Sequence, residues 1–218
     1  MVVTNKLSVK HLYLGPADSG GRYTEITATA AEINTAFDGT TTATAAELQE
    51  LDCSVNAAQI TFGKGFDQAA LKAMGTNRTG NIIVTYILID LAGLADGDAN
   101  GDIIGNPAGG EKCYFFLYDA DIMGTNYGGD ITCMETPAGG DPDIDLYYAT
   151  EATGKQDGAI GSLTETQVID HGDWTAGDVD ALSAPIVDGK YVYLVCGTKT
   201  DATYTAGQLM IKLYGYAS

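Results

Sequence analysis

Positive charge is scarce in this chain: 11 Lys and Arg stand against 29 Asp and Glu, a net charge of −18 over 218 residues. A surface so acidic repels phosphate backbones, which argues against direct nucleic-acid binding. Long apolar runs are also missing. No stretch reaches the about 18 residues a membrane helix needs, and the opening Met1–Lys10 lacks the apolar core of a secretory signal. Synthesis in a cytoplasm without secretion is therefore expected. The four cysteines, Cys53, Cys113, Cys133 and Cys196, have neither CxxC nor metal-ligand spacing. Three of them lie in strand-like apolar runs, and all are expected to be buried and reduced. With 5 Pro and 28 Gly, the chain suits many tight turns.

The acidity is uneven. Residues 1–75 hold 5 basic and 8 acidic groups, and residues 76–218 hold 6 and 21, so about −15 of the charge lies in the second part. A soluble, outward-facing second domain follows from that asymmetry.

Two copies of Thr-Ala-Thr-Ala-Ala-Glu, Thr27–Glu32 and Thr42–Glu47, stand fifteen residues apart. Thr29 with Glu32, and Thr44 with Glu47, have the Thr-x-x-Glu spacing of a helix capping box. Asn56-Ala57-Ala58-Gln59 repeats the logic weakly before Ile60. Each copy predicts a helix of only about two turns, too short to be stable alone. Ile33 and Phe37 (i, i+4) and Leu48 and Leu51 (i, i+3) share faces that must rest on another surface. No catalytic residue type recurs in register, so the repeat is structural.

These strings resemble helical repeats of tailed-bacteriophage virion proteins, which recur in head decoration (cement) proteins, head fibres and tail fibres. Leu88–Leu94, Asp102–Gly105 and the segment Ala206–Tyr216 are similar to structural proteins of marine and cyanobacterial phages. The chain departs from the repeat pattern at Cys53, where Gly is usual, and at Ala36, an extra residue in the first copy. The resemblance implies a non-enzymatic decoration protein on the outer capsid surface, assembled in the host cytoplasm. It would bind the major capsid protein as a homotrimer, with Ile33, Phe37, Leu48, Leu51 and Ile60 facing the shell. The alternative is a head- or tail-fibre component that binds a host glycan.

Organisation along the chain supports two domains. Residues 1–80 read as an arm, the short capped helices, a further helix over Phe66–Met74 capped by Asp67 and stopped by Gly75, and a hinge at 75–80. Residues 81–218 read as an acidic antiparallel β-sandwich or jelly roll. Its predicted strands are 82–91, 113–118, 130–135, 144–150, 166–170, 190–196 and 208–216. The strands 113–118 and 190–196 are apolar on both faces. Their second face needs cover, expected from the helical segment and from a subunit interface.

Four motifs invite chemistry. Asp96, Asp98, Asn100, Gly101 and Ile103 match positions 1, 3, 5, 6 and 8 of a calcium loop, with Asp102 between them. Pro107 occupies position 12 in place of a bidentate Glu, so an acidic surface loop is the favoured reading. Asp18-Ser19-Gly20-Gly21 echoes a serine nucleophile, but His11 and His171 are the only histidines and neither stands in a triad arrangement. Gly105–Lys112 suggests a phosphate loop, yet Glu111 precedes the Lys, no Ser or Thr follows it, and a turn explains the segment better. Trp174, the only Trp, could stack on a sugar; a side chain folded onto its own core is the commoner outcome.

Overall fold

Ile82–Asp90 (β4) alternates buried and open side chains along its length, the pattern of a strand with one face in a core. The structure, a computed structural model, describes residues 62–67, 69, 72–198 and 200–217, together with the backbone of two short strands. Those two, Tyr13–Leu14 (β1) and Thr24–Glu25 (β2), pair antiparallel. Met1–Leu48 and Gln49–Ser218 form separate compact units.

The larger unit is mainly β. Lys72–Thr79 (β3) pairs with β4 through a hairpin turn in which Gly80 takes φ 60°, a conformation open to glycine. Beyond β4 come Ala206–Tyr216 (β11), Thr125–Ala138 (β6) and Val179–Ala181 (β9), completing a five-stranded sheet in the order β3-β4-β11-β6-β9. β11 faces β4 in register over nine residue pairs, Ile87 opposite Ile211 and Ile89 opposite Leu209.

A second, four-stranded sheet has the order β5-β10-β7-β8. Its strands are Phe116–Leu117 (β5), Tyr191–Cys196 (β10), Ile144–Ala149 (β7) and Glu165–Ile169 (β8). All pairings in both sheets are antiparallel. A single helical turn, Ala120–Met123 (α1), is capped by Asp119, whose side chain accepts from the Asp121 amide. Buried side chains of both sheets, among them Ile87, Leu209 and Ile211 with Leu146, Val192 and Leu194, form one apolar core in a sandwich-like arrangement.

Two expectations are corrected. The predicted helix over Phe66–Met74 is a short 3-10 turn, Lys64–Phe66, followed by β3, and Gly75 lies inside that strand. Among the described residues Asp67 caps no helix; its exposed carboxylate meets Lys72 Nζ at 3.4 Å. The hinge at 75–80 is the end of a strand and its turn, so the β domain begins before residue 81. Pairing with β4 supplies a ladder of hydrogen bonds that local Ala/Leu/Met propensity cannot match.

The predicted strand 113–118 shortens to β5, because Cys113 and Tyr114 bond elsewhere. The Cys113 amide donates to Gly154 O and the Tyr114 carbonyl accepts from Gly63. That approach is close enough to require glycine: a Cβ on Gly65 would lie 2.1 Å from Cys113 Sγ. The 3-10 turn thereby seats Phe66 on Phe115, ring centroids 5.1 Å apart.

Both faces of β10 are buried, as its apolar pattern demands. The described cover is the chain's own loops. Tyr193 Oη donates to Glu151 O at 2.7 Å, Ile103 bridges Val195, and the Ile104 amide donates to Leu194 O. Cys113, Cys133 and Cys196 are buried and free, with burial pushing each thiol pKa up. Cys53 lies outside the described residues.

The alternation on β11 sets Ile211 inward and Met210 outward. Ile211→Ala should lower the unfolding free energy by about 2–5 kcal/mol and Met210→Ala by less than about 1 kcal/mol. Denaturant titration checks this, and the reverse ranking would place the core on the other face.

Candidate functional site

Two carboxylates buried between loops organise one end of the sandwich. Asp96 is 1 % exposed and Asp141 is fully buried. Asp96 Oδ1 accepts from the Ala202 amide and Oδ2 from the Asp141 amide, both at 2.6 Å. Asp141 Oδ1 accepts from Thr198 Oγ1 at 2.6 Å and from the Asp143 amide at 3.1 Å; its Oδ2 accepts from the Thr198 amide at 2.8 Å. Tyr204 Oη donates to the Asp141 carbonyl at 2.8 Å, and burial drives its pKa far up. Such charge-assisted bonds are what allow carboxylates to stay in a core.

Beside this staple, Asp98, Asp102 and Asp157 bring carboxylate oxygens within 4.8 Å of one another. Asp157, at φ 61°, accepts the Asp98 amide at 2.7 Å, and Asp102 Oδ2 accepts the Ala99 amide at 2.8 Å. The Asp102 pKa is raised, first by burial, with the charges of Asp157 and Asp98 adding to it and the Ala99 bond opposing. Of the calcium candidates, then, Asp98 and Asp102 come together. Asp96 does not join them, since both its oxygens are taken; Asn100, like Asp98 and Asp157, is exposed. Asp157 takes a place in the group that no spacing along the chain reveals; its local signal is the turn dipeptide Asp157-Gly158. Calcium takes 6–8 oxygens, and two of the six carboxylate oxygens here already accept backbone amides.

A third acidic group surrounds β7. Asp145 is buried; Oδ2 accepts from Gln167 Nε2 at 2.9 Å and Oδ1 has no hydrogen-bond partner. Burial, reinforced by the charges of Asp143 and Asp170, pushes its pKa up to about 7. Nearby, His171 stacks on Trp174 with centroids 3.8 Å apart, its ring nitrogens 3.5 Å from Asp180 and 3.7 Å from Asp178. Trp174 is fully buried and its Nε1 donates to Ile144 O at 2.7 Å, so it is a core side chain and not a sugar platform. The segment 105–112 is a turn, with Asn106 Oδ1 accepting the Ala108 amide at 2.9 Å.

The open face of the five-stranded sheet is a feature that sequence reasoning missed. Ile82, Val84, Tyr86 and Leu88 of β4 stand opposite Tyr216, Tyr214, Lys212 and Met210 of β11. Across β11 lie Asp130 and Thr132 of β6. Tyr127 joins them, its ring 6.1 Å from Tyr214 and 6.5 Å from Tyr216. Near the centre, Lys212 Nζ meets Asp130 Oδ1 at 3.3 Å, and Tyr214 Oη donates to the other Asp130 oxygen. The alternation of open positions on β4 and β11 was the available signal.

The partner-facing Ile33, Phe37, Leu48, Leu51 and Ile60 lie outside the described residues. So do the capping pairs Thr29/Glu32 and Thr44/Glu47, and the Asp18-Ser19 segment with His11.

Two tests follow. A carboxylate whose folded pKa exceeds its unfolded value binds its proton more tightly in the native state. Its contribution to stability therefore falls as pH rises from the ordinary carboxylate range to about 7 and is level above that. Asp145→Asn should gain on the wild type across that window by at most about 1.4 kcal/mol per pH unit, read by denaturant titration at several pH values; a pH-independent difference would refute it. At the Asp98/Asp102/Asp157 group, the acidic-loop reading expects equal melting temperatures with calcium and with chelator. A calcium-dependent rise abolished by Asp157→Asn would instead establish ligation. No protein-family model, no curated protein and no solved structure matches this chain.

Proposed function

We propose that this chain is a non-enzymatic structural protein of a tailed-phage virion. In this reading it is a capsid decoration protein that attaches as a homotrimer to the major capsid protein and stabilises the shell. The observation that carries the reading is the division of labour along the chain. Paired capping-box repeats with apolar faces precede a sandwich that fills its own core with its own strands. The region up to residue 75, which contains the repeats and carries about −3 of the charge, suits burial against a shell; the region after it, at about −15, suits water and resists crowding. Attachment adds buried area across capsomer junctions, and that area opposes internal DNA pressure.

Phe37→Asp and Leu51→Asp in the full chain should weaken co-sedimentation with undecorated shells at least about tenfold, because an unpartnered charge is costly to bury. Circular dichroism should be unchanged. A chain lacking residues 1–60 should keep its β signal and lose attachment; full occupancy by that truncated chain would overturn the assignment.

A further inference from the structure

We propose that the open face of the five-stranded sheet is where two copies of this chain pack, sheet on sheet, about a twofold axis. This goes beyond the decoration reading and does not depend on it.

Charge selects the occupant. Along the open positions of β4, β11 and β6, four residues are ionisable as Asp, Glu, Lys or Arg: Lys212 and Asp130 near the middle, and Asp90 and Glu135 at one end on either side of Gln208, in a region that carries about −15 overall. Two copies repel through most of their surface and can approach where the charge is depleted. Depleted charge with exposed Tyr and Met is also the composition of an interface centre. Tyr127 and Met134 are each 51 % exposed, and Ile82 and Tyr216 each 45 %.

The face is also complementary to itself. Lys212 and Asp130 sit side by side on neighbouring strands near its middle. A twofold axis between them sets Lys212 of each copy toward Asp130 of the other, as an isologous contact requires. The size is suitable. Nine residues along four strands cover roughly 500 Å² in projection, and protruding side chains raise the accessible area toward the roughly 800 Å² per partner of a stable interface. A neutral glycan fits less well, since Ile82, Val84, Leu88 and Met210 offer its hydroxyls no hydrogen bonds.

Analytical ultracentrifugation of the full chain tests this by doubling: a monomer pairs to a dimer, and a trimer held elsewhere pairs to a hexamer. Wild-type protein should show the doubled mass at micromolar concentration. Lys212→Glu and Asp130→Lys, each alone, place like charges across the axis and should weaken pairing at least about tenfold. An equimolar mixture of the two variants opposes unlike charges and should regain the doubled mass, with melting curves as the folding control. The inference is overturned if the wild type never doubles, if either variant doubles like the wild type, or if the mixture stays undoubled. Wild-type chain that binds neutral polysaccharide through Tyr127 and Tyr216 without self-associating would overturn it too. Shell co-sedimentation of Lys212→Glu remains a separate measurement, so failure here leaves attachment through the repeats standing or falling on its own test.

Discussion

β11 is held on both sides, by β4 along nine residue pairs and by β6 along ten. Every other feature of the five-stranded sheet is set from that strand. Because side chains alternate at a period of two, fixing β11 against β4 decides at once which residues are core and which are open. Ile87, Ile89, Leu209, Ile211 and Leu213 go inward together. Tyr86, Met210 and Tyr214 are thereby turned out together, whether or not water suits them. A slip of one residue would exchange the two sets, so the same constraint that builds the core also creates the apolar open face.

The loops obey a different rule. They are tied by carboxylates that accept backbone amides, with Asp96 and Asp141 joining segments near residues 96, 141, 198 and 202. Each oxygen satisfied in this way offsets the desolvation of a buried charge. Asp145 keeps one oxygen without a partner; burial, with the charges of neighbouring carboxylates adding to it, makes it hold its proton toward neutrality. An acidic sequence is therefore not simply a solvated one: several of these aspartates are internal.

Much of the sheet was legible in the sequence. β4, β7, β8, β10 and β11 stand within about two residues of where alternation and turn residues put them, because a strand with one or two buried faces must carry its pattern locally. β3 was hidden, since Lys72-Ala73-Met74 favours helix by itself and becomes strand only beside β4. The site was less legible. Asp96 looked like a ligand because its partners, the amides of Asp141 and Ala202, are 45 and 106 residues away. Asp157 reaches Asp98 across 59 residues. Spacing motifs see neighbours in the chain, whereas these contacts are made by the fold. Trp174 was settled by burial, a property that one residue in a turn cannot display in sequence.

The strand that organises the larger sheet is also the last of the described strands to be synthesised. Until Ala206–Tyr216 leaves the ribosome, β4 and β6 have no partner between them, and the β3–β4 hairpin presents an unpaired edge with apolar side chains beside it. Assembly of that sheet must wait for a segment more than a hundred residues downstream of β4, and such non-local pairing is slow. Nascent chains spend that interval with an edge able to recruit the same strand from a neighbour. The acidity of the region between them then acquires a second use, as mutual repulsion that keeps unfinished chains apart while they wait.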